Sequence, residues 1–307
     1  MSDVLAVDAV GLTKNFGALT AVDRLSVQVG QGEVYGVLGP NGAGKTTFLR
    51  MLFGLIRPDS GKLSVFGRTW DRDGVRALDG VAGFIESPKF YPGLSGHKNL
   101  RLLAGLDGGG SNGRIDDVLE TVDLRDRSRD KVGGYSFGMR QRLGVAASLL
   151  RDPKLLVLDE PANGLDPAGI RDMRALVKRL AASGLTVLLS SHDMGEVEEI
   201  CDDVTIMHTG KVVYHGSIAA LRARAPEQAH SIRTTDDDHA AHLAVSRGLE
   251  VDRLDEGLAV RGPQSEIDAL VAKVIGEGIA LRELARRETP LESLFFMLTE
   301  TPAGARR

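Results

Sequence analysis

The stretch "GPNGAGKTT", residues 39–47, constrains the fold of this chain more than any other feature. It matches G-x-x-x-x-G-K-[ST], follows the apolar run "EVYGVL" and precedes the helical pattern "TTFLRMLFGL". This order indicates a phosphate-binding loop, because glycines let backbone N–H groups curl around a phosphate at a helix N-terminus. The residues predicted to bind a nucleotide are Gly39, Pro40, Asn41, Gly42, Ala43, Gly44, Lys45, Thr46 and Thr47.

Charged residues of this loop and of a later strand form a candidate hydrolytic site. We expect Lys45 to reach the β- and γ-phosphates and the Thr46 hydroxyl to bind Mg²⁺. The run "KLLVLDEP" predicts a strand that ends in two acids. We predict that Asp159 holds Mg²⁺ through water and that Glu160 polarises the attacking water. The alternative, an acidic start of a solvated loop, fits less well beside a complete phosphate loop.

His192 directly follows a further apolar run, "LTVLLSS". A lone histidine in such a place is usually a helix-cap neighbour or a hydrogen-bonded core group. Because this histidine follows another strand of a chain that has a phosphate loop, we predict that it reaches the γ-phosphate. The predicted catalytic residues are therefore Lys45, Glu160 and His192.

The spacing of apolar residues predicts an α/β fold. Between residues 1 and 222, β-branched runs alternate with helical patterns at 45–55, 139–150 and 168–183. Buried strands that alternate with helices indicate a mostly parallel sheet covered on both faces. The antiparallel-looking start predicts an added β subdomain. Residues 223–307 show shorter strand and helix candidates, which we interpret as a small accessory α/β domain.

Composition excludes several classes of function. The formal net charge of -4 gives no reason to expect a nucleic-acid partner. No apolar run approaches the ~18 residues that a membrane helix needs. The single cysteine, Cys201, excludes an internal disulfide and is typical of a reducing compartment. We therefore expect a protein on the cytoplasmic side of the membrane.

A second small turn, "YSFGMRQRL" at residues 135–143, completes an ordered set of motifs. The others are the phosphate loop, "GFIESPKFYPGLSGHKNL", "LLVLDEP", "NGLDP" and "SSH". In this order they resemble the nucleotide-binding subunit of an ATP-binding cassette (ABC) transporter over about residues 4–220. The resemblance implies that ATP and Mg²⁺ are bound and that Phe16 stacks on the adenine. The alternative for Phe16 is an ordinary core residue.

The resemblance also implies what the second turn does. In this family the turn caps the γ-phosphate bound by the opposite subunit, so that two nucleotides lie in a head-to-tail dimer. Ser136, Gly138 and the start of the following helix, which we expect at Met139, are the corresponding residues here. The implied partners are a second copy or a paralogue of this chain and a separate transmembrane permease. The implied fold adds an α-helical signature subdomain to the phosphate-loop domain.

Two departures from the family pattern refine the prediction. The form "SFGMRQR" is similar to that of bacterial drug and peptide-antibiotic exporters, which predicts export of a drug, antibiotic peptide or lipid-like compound. Glu86 stands where the family usually has glutamine, and we predict that it joins Thr46 and Asp159 at the metal. The alternative is that Glu86 faces solvent. The alternative function is a regulatory or non-transport ABC ATPase that acts as a soluble module.

Overall fold

The computed structural model of the chain describes residues 5–106, 110–287 and 289–299. Two compact units divide the chain, Met1–Ile218 and Ala219–Arg307. The strands of the first unit are β1 (Val7–Phe16), β2 (Leu19–Val29), β3 (Val34–Leu38), β4 (Ser60–Val65), β5 (Val81–Phe84), β6 (Leu155–Asp159), β7 (Thr186–Ser191), β8 (Asp203–His208) and β9 (Lys211–Ser217). Its helices are α1 (Lys45–Leu52), α2 (Trp70–Asp73), α3 (Gly96–Leu106), α4 (Ile115–Thr121), α5 (Phe137–Leu149), α6 (Pro167–Ala182) and α7 (Met194–Ile200).

The central sheet has the strand order β5-β6-β7-β3-β8-β9. All neighbouring strands in it are parallel except β8 and β9. Every residue of β3, β6 and β7 is buried, as expected for strands covered on both faces. The prediction of a mostly parallel sheet is confirmed.

Register brings the predicted site residues to one edge of this sheet. Leu38, the last residue of β3, is paired with Ser191 of β7, and Asp159 of β6 is paired with Ser190. The carboxyl ends of parallel strands meet at one edge, which is where α/β folds bind ligands. The phosphate loop, the two acids and His192 therefore lie at the ends of three adjacent strands, all at that edge.

A separate antiparallel sheet of order β2-β1-β4 confirms the predicted β subdomain. A helical part is formed by α3, α4 and α5, which contact one another. Helix α5 begins at Phe137, two residues before the predicted start, because the Ser136 side chain accepts a hydrogen bond from the Met139 amide and caps the helix. The predicted helix at 45–55 ends earlier, at Leu52.

The second unit has the element order βαββαβ, followed by one more helix. Its elements are β10 (Ala229–Thr234), α9 (Asp237–Ser246), β11 (Glu250–Arg253), β12 (Leu258–Arg261), α10 (Gln264–Gly276), β13 (Leu281–Arg286) and α11 (Pro290–Thr299), and α8 (Ile218–Arg222) spans the division between the units. The sheet order is β11-β12-β10-β13, with antiparallel neighbours throughout. This arrangement is the ferredoxin-like split βαβ fold. Its core contains Ile232, Ala244, Val260, Ile267 and Leu270.

Candidate functional site

Glycines shape the loop between β3 and α1. Gly42 and Gly44 have φ of 81° and 103°, in the left-handed region that favours glycine. A Cβ at Gly39 would lie 2.3 Å from the carbonyl oxygen of Met207, and one at Gly44 would lie 2.4 Å from that of Ala21. A Cβ at Gly42 would meet no atom within 4 Å. The loop is therefore packed closely on one side and faces open space at Gly42.

Lys45 begins α1 and is only 5% exposed. Its ammonium donates to the carbonyl oxygens of Gly39 at 2.6 Å and Pro40 at 3.3 Å. The same nitrogen lies 3.1 Å from a carboxylate oxygen of Glu160. A buried cation is costly unless such partners surround it. The lysine is thus held at the loop, in contact with the acid that follows β6.

Glu160 joins the other two predicted catalytic residues. Its carboxylate contacts Lys45 through one oxygen and lies 2.6 Å from His192 Nδ1 through the other. Its φ of 50° is unusual for a residue with a side chain, and its amide donates to Ser190 Oγ at 3.0 Å. Strained backbone of this kind is concentrated at functional sites. The structure therefore brings together Lys45, Glu160 and His192.

Asp159 is the buried acid of the pair, 3% exposed. One of its oxygens accepts from Thr46 Oγ1 at 3.0 Å, and the other accepts from Ser190 Oγ at 2.5 Å. A hydroxyl and a carboxylate are the hard oxygen donors that Mg²⁺ prefers. Thr46 and Asp159, which the sequence assigned to a metal, are therefore adjacent, and their donor set fits this ion.

Glu86, the third residue predicted for the metal, has a different partner. Its carboxylate lies 2.7 Å from the Arg50 guanidinium, and its side chain is 69% exposed. Within the described part of the chain it forms no hydrogen bond with Thr46 or Asp159. Arg50 lies four residues after Thr46, one turn farther along α1. The structure therefore does not bring Glu86 together with the other two residues.

Phe16 ends β1 and is 49% exposed, so the alternative of an ordinary core residue is wrong. The Lys14 ammonium lies 5.7 Å from the centre of its ring. An exposed aromatic face of this kind is available for stacking on a flat base.

The signature turn, the second turn at residues 135–143, lines a cavity to which no described residue of the phosphate loop contributes. Ser136 Oγ accepts from the Met139 amide at 3.2 Å, which leaves its hydroxyl hydrogen free to donate. The adjoining cavity, about 390 Å³, is lined by Ser136, Gly138, Asp166 and neighbours on α5 and α6. Among the described residues that line it, none comes from residues 39–47. Within one chain the two motifs therefore do not form one site.

Sequence reasoning missed several residues that support this site. Ser190 bonds both Asp159 and the Glu160 amide, and the pair "SS" before His192 was the available signal. Ser191 Oγ donates to Glu196 at 2.6 Å, and burial raises the pKa of Glu196 above its usual value.

Fold and site together define a phosphate-loop nucleotide-binding domain. The sequence pattern of the ABC transporter family matches residues 22–163. The chain is 36% identical to the uncharacterized ABC transporter ATP-binding protein YhcH of Bacillus subtilis, over 94% of each chain. The bacitracin transport ATP-binding protein BcrA of Bacillus licheniformis is 44% identical over 67% of this chain and 68% of its own. The chain belongs to the ATP-binding subunits of ABC transporters, which hydrolyse ATP to power transport.

A solved structure of an ATP-binding subunit of an ABC transporter superposes with a TM-score of 0.62 and 28% identity. The match covers 71% of this chain and 92% of that one. None of the helices within the described residues has the length and apolar character required to span a bilayer.

Proposed function

We propose that this chain powers export of a drug, antibiotic peptide or lipid-like compound through a separate membrane permease. The contact of Glu160 with both Lys45 and His192 carries the hydrolytic part of the proposal. Export rests on the likeness of "SFGMRQR" to exporters and on the relative that transports bacitracin. Association with the cytoplasmic face of the membrane follows from the need to bind a permease.

The phosphate loop, in this proposal, binds the triphosphate before reaction. The backbone N–H groups of residues 39–47, other than Pro40, surround the phosphates, and Lys45 exchanges the carbonyls it now contacts for phosphate oxygens. Thr46 and Asp159 would hold Mg²⁺, which would supply positive charge against the transferred phosphoryl group. Phe16 stacks on the adenine.

Glu160 is the residue we assign to the attacking water. A carboxylate at hydrogen-bond distance from a water can orient it and accept its proton. His192 Nδ1 lies 2.6 Å from Glu160, and Nε2 is left for an oxygen of the γ-phosphate. Because both partners are acceptors, His192 carries a proton on each ring nitrogen in this proposal. Lys45, on the other side of Glu160, offsets the negative charge of the carboxylate and the phosphates together.

The second subunit supplies donors that one chain does not bring to its own loop. Ser136 and Gly138 line a cavity that lies away from residues 39–47, and the free Ser136 hydroxyl can donate to a phosphate of the partner's nucleotide. A second copy or a paralogue of this chain would complete both sites in a head-to-tail dimer.

An apolar groove is our candidate for the permease contact. A cavity of about 840 Å³ is lined by Phe84, Pro88, Phe90, Leu103 and Leu106. Leu106 is 83% exposed, and the nearby Tyr91 is 67% exposed. Exposed apolar side chains around a groove are typical of a protein–protein contact.

A regulatory or non-transport module is less favoured, because Glu160 and Ser136 are both retained.

The proposal as a whole is tested with the chain and its permease together. We expect the chain to purify from detergent-solubilised membranes with an integral membrane protein that mass spectrometry identifies. Reconstituted in vesicles, the pair should move antibiotic peptides out of the ATP-containing compartment. A chain that purifies without any membrane protein, yet hydrolyses ATP fully, would favour the soluble module.

Glu86 provides a prediction about metal dependence. If Glu86 leaves Arg50 and joins the metal when Mg-ATP binds, a carboxylate should hold Mg²⁺ more strongly than an amide does. The ATPase rate of the wild type should therefore rise more steeply with Mg²⁺ concentration than the rate of Glu86→Gln. The measurement is ATPase rate against Mg²⁺ concentration with the permease present. Arg50→Gln, which frees Glu86 without changing it, is the matched control and should need less Mg²⁺. Identical curves for the three proteins would exclude Glu86 as a ligand of the metal.

The accessory domain, residues 223–307, provides another prediction. We propose that it supports regulation or dimer assembly, because every predicted nucleotide contact precedes residue 193. Deleting residues 223–307 should leave the affinity for ATP within about twofold of wild type, since sites that share no partners usually contribute additively. Transport or dimerisation should fall. Loss of ATP binding by a folded truncated chain would show that these residues belong to the nucleotide-binding domain.

A further inference from the structure

A cavity of about 730 Å³ in the helical part of the first unit is walled by basic side chains. Helix α3 contributes Lys98 and Arg101, and the segment before the signature turn contributes Arg129 and Lys131. All four are exposed, and within the described chain none of them forms a salt bridge. Among the described residues that line the cavity, Asp116 is the one with an acidic side chain. The cavity therefore holds uncompensated positive charge in a chain whose net charge is -4.

Backbone hydrogen bonds hold the two walls together. The His97 amide donates to the Ser128 carbonyl at 2.9 Å, and the Gly96 amide donates to the Asp130 carbonyl at 3.3 Å. The Lys98 amide donates to Ser95 Oγ at 3.2 Å, and the Asn99 amide donates to the Ser95 carbonyl at 2.9 Å. These bonds satisfy the first amides of α3, so the helix N-terminus offers little to a ligand. The positive charge comes from the side chains on a fixed frame.

The chemistry of these side chains selects a phosphate. Guanidinium groups bind phosphate oxygens in pairs, and lysine adds a point charge. Arg101 on α3 and Arg129 before the signature turn line the same cavity. A concave site of this volume accommodates a compact polar group such as a phospholipid headgroup.

A second cavity along α3 indicates where this cavity faces. Leu102 and Leu103 line an apolar cavity of about 310 Å³ together with Phe90 and Tyr91. One helix therefore contributes to both the basic cavity and the apolar surface that we assign to the permease. Because a permease lies in the bilayer, a basic cavity beside its contact surface would lie near lipid headgroups.

We propose that the basic cavity binds the phosphate of an anionic phospholipid headgroup. The placement at the membrane rests on the proposed function, whereas the phosphate chemistry rests on the cavity alone. Binding there would hold the ATP-binding subunit against the bilayer beside its permease. A soluble phosphate could supply the same chemistry, and the test separates the two sources.

The test is co-sedimentation of the full chain with vesicles of phosphatidylcholine, with and without about one-third phosphatidylglycerol. Each cation near an anionic surface raises affinity roughly fivefold, so Arg101→Gln/Arg129→Gln should bind the anionic vesicles about 25-fold more weakly. The matched control is Arg57→Gln/Lys62→Gln, which removes the same charge from exposed positions outside the cavity. We expect the control to bind like wild type, and none of the proteins to bind pure phosphatidylcholine.

Other outcomes decide between the alternatives. Equal losses in the two double variants would overturn the proposal, since the attraction would then be diffuse. Saturable binding of inorganic phosphate that needs Arg101 and Arg129, without vesicle binding, would assign the cavity to a free phosphate and exclude the lipid. ATP binding is measured in the same samples. If ATP binds and vesicles and phosphate do not, the cavity proposal alone fails; if ATP does not bind, the proposed hydrolytic function fails.

Discussion

Replacement of Glu160 by glutamine is expected to lower the ATPase rate by roughly 10²–10⁴-fold while ATP binding stays near wild type. Glutamine keeps the size of the side chain. Its carbonyl oxygen can accept from Lys45, and its NH2 group can donate to Nδ1 of the other His192 tautomer. It cannot take a proton from the attacking water. Because only the transition state loses an interaction, the barrier rises and the bound ground state does not change. The variant should therefore accumulate with ATP as a closed dimer.

Lys45→Ala should behave differently, because it removes the ammonium that faces the phosphates. ATP binding itself should be lost, and Glu160 would also lose the cation 3.1 Å away. The measurements are equilibrium ATP binding, steady-state hydrolysis and size-exclusion chromatography with and without ATP. Glu199→Gln makes the same chemical change at an exposed position and serves as the control. A Glu160→Gln chain that hydrolyses ATP normally and stays monomeric would exclude the role of Glu160 in hydrolysis and the closed ATP-bound dimer.

The phosphate loop and its strand and helix could be predicted because the signal is local. Glycine spacing and the flanking apolar runs specify β3, the loop and the start of α1 without reference to the rest of the chain. The two acids after β6 are equally local. Their meeting with Lys45 and His192 is not, because it depends on β3, β6 and β7 being neighbours. Strand order is set by the packing of the whole sheet, which spacing along the chain does not encode.

Glu86 shows where local reasoning ends. Its family position indicated a metal role, yet the loop has φ of 64° at this residue and its carboxylate contacts Arg50. A left-handed conformation at a glutamate has no clear sequence signal. In the second unit, the sequence of β11 (Glu250–Arg253) has no apolar strand pattern, because three of its four residues are charged. It forms an edge strand paired only with β12 among the described strands, where apolar residues are not required.

Mixing two inactive variants should restore hydrolysis if each site is shared between chains. Lys45→Ala removes the phosphate loop's cation, and Gly138→Asp places a negative charge where the partner's phosphate should lie. The folded chain should tolerate Gly138→Asp, because a Cβ there would lie 3.5 Å from its nearest neighbour, Leu165. A carboxylate in the first turn of a helix also interacts favourably with the helix dipole. Any dimer of one variant alone would have two defective sites.

A mixed dimer, in contrast, contains one intact site, formed by the Lys45 of one chain and the Gly138 of the other. Random pairing gives about half mixed dimers, each with one working site, so the mixture should reach roughly a quarter of the wild-type rate. Lys45→Ala mixed with Glu160→Gln is the matched control. Both lesions lie on the same side of the site, so every dimer stays defective and no activity should return. If the first mixture is as inactive as this control, Gly138 acts within its own chain, and the head-to-tail arrangement is wrong.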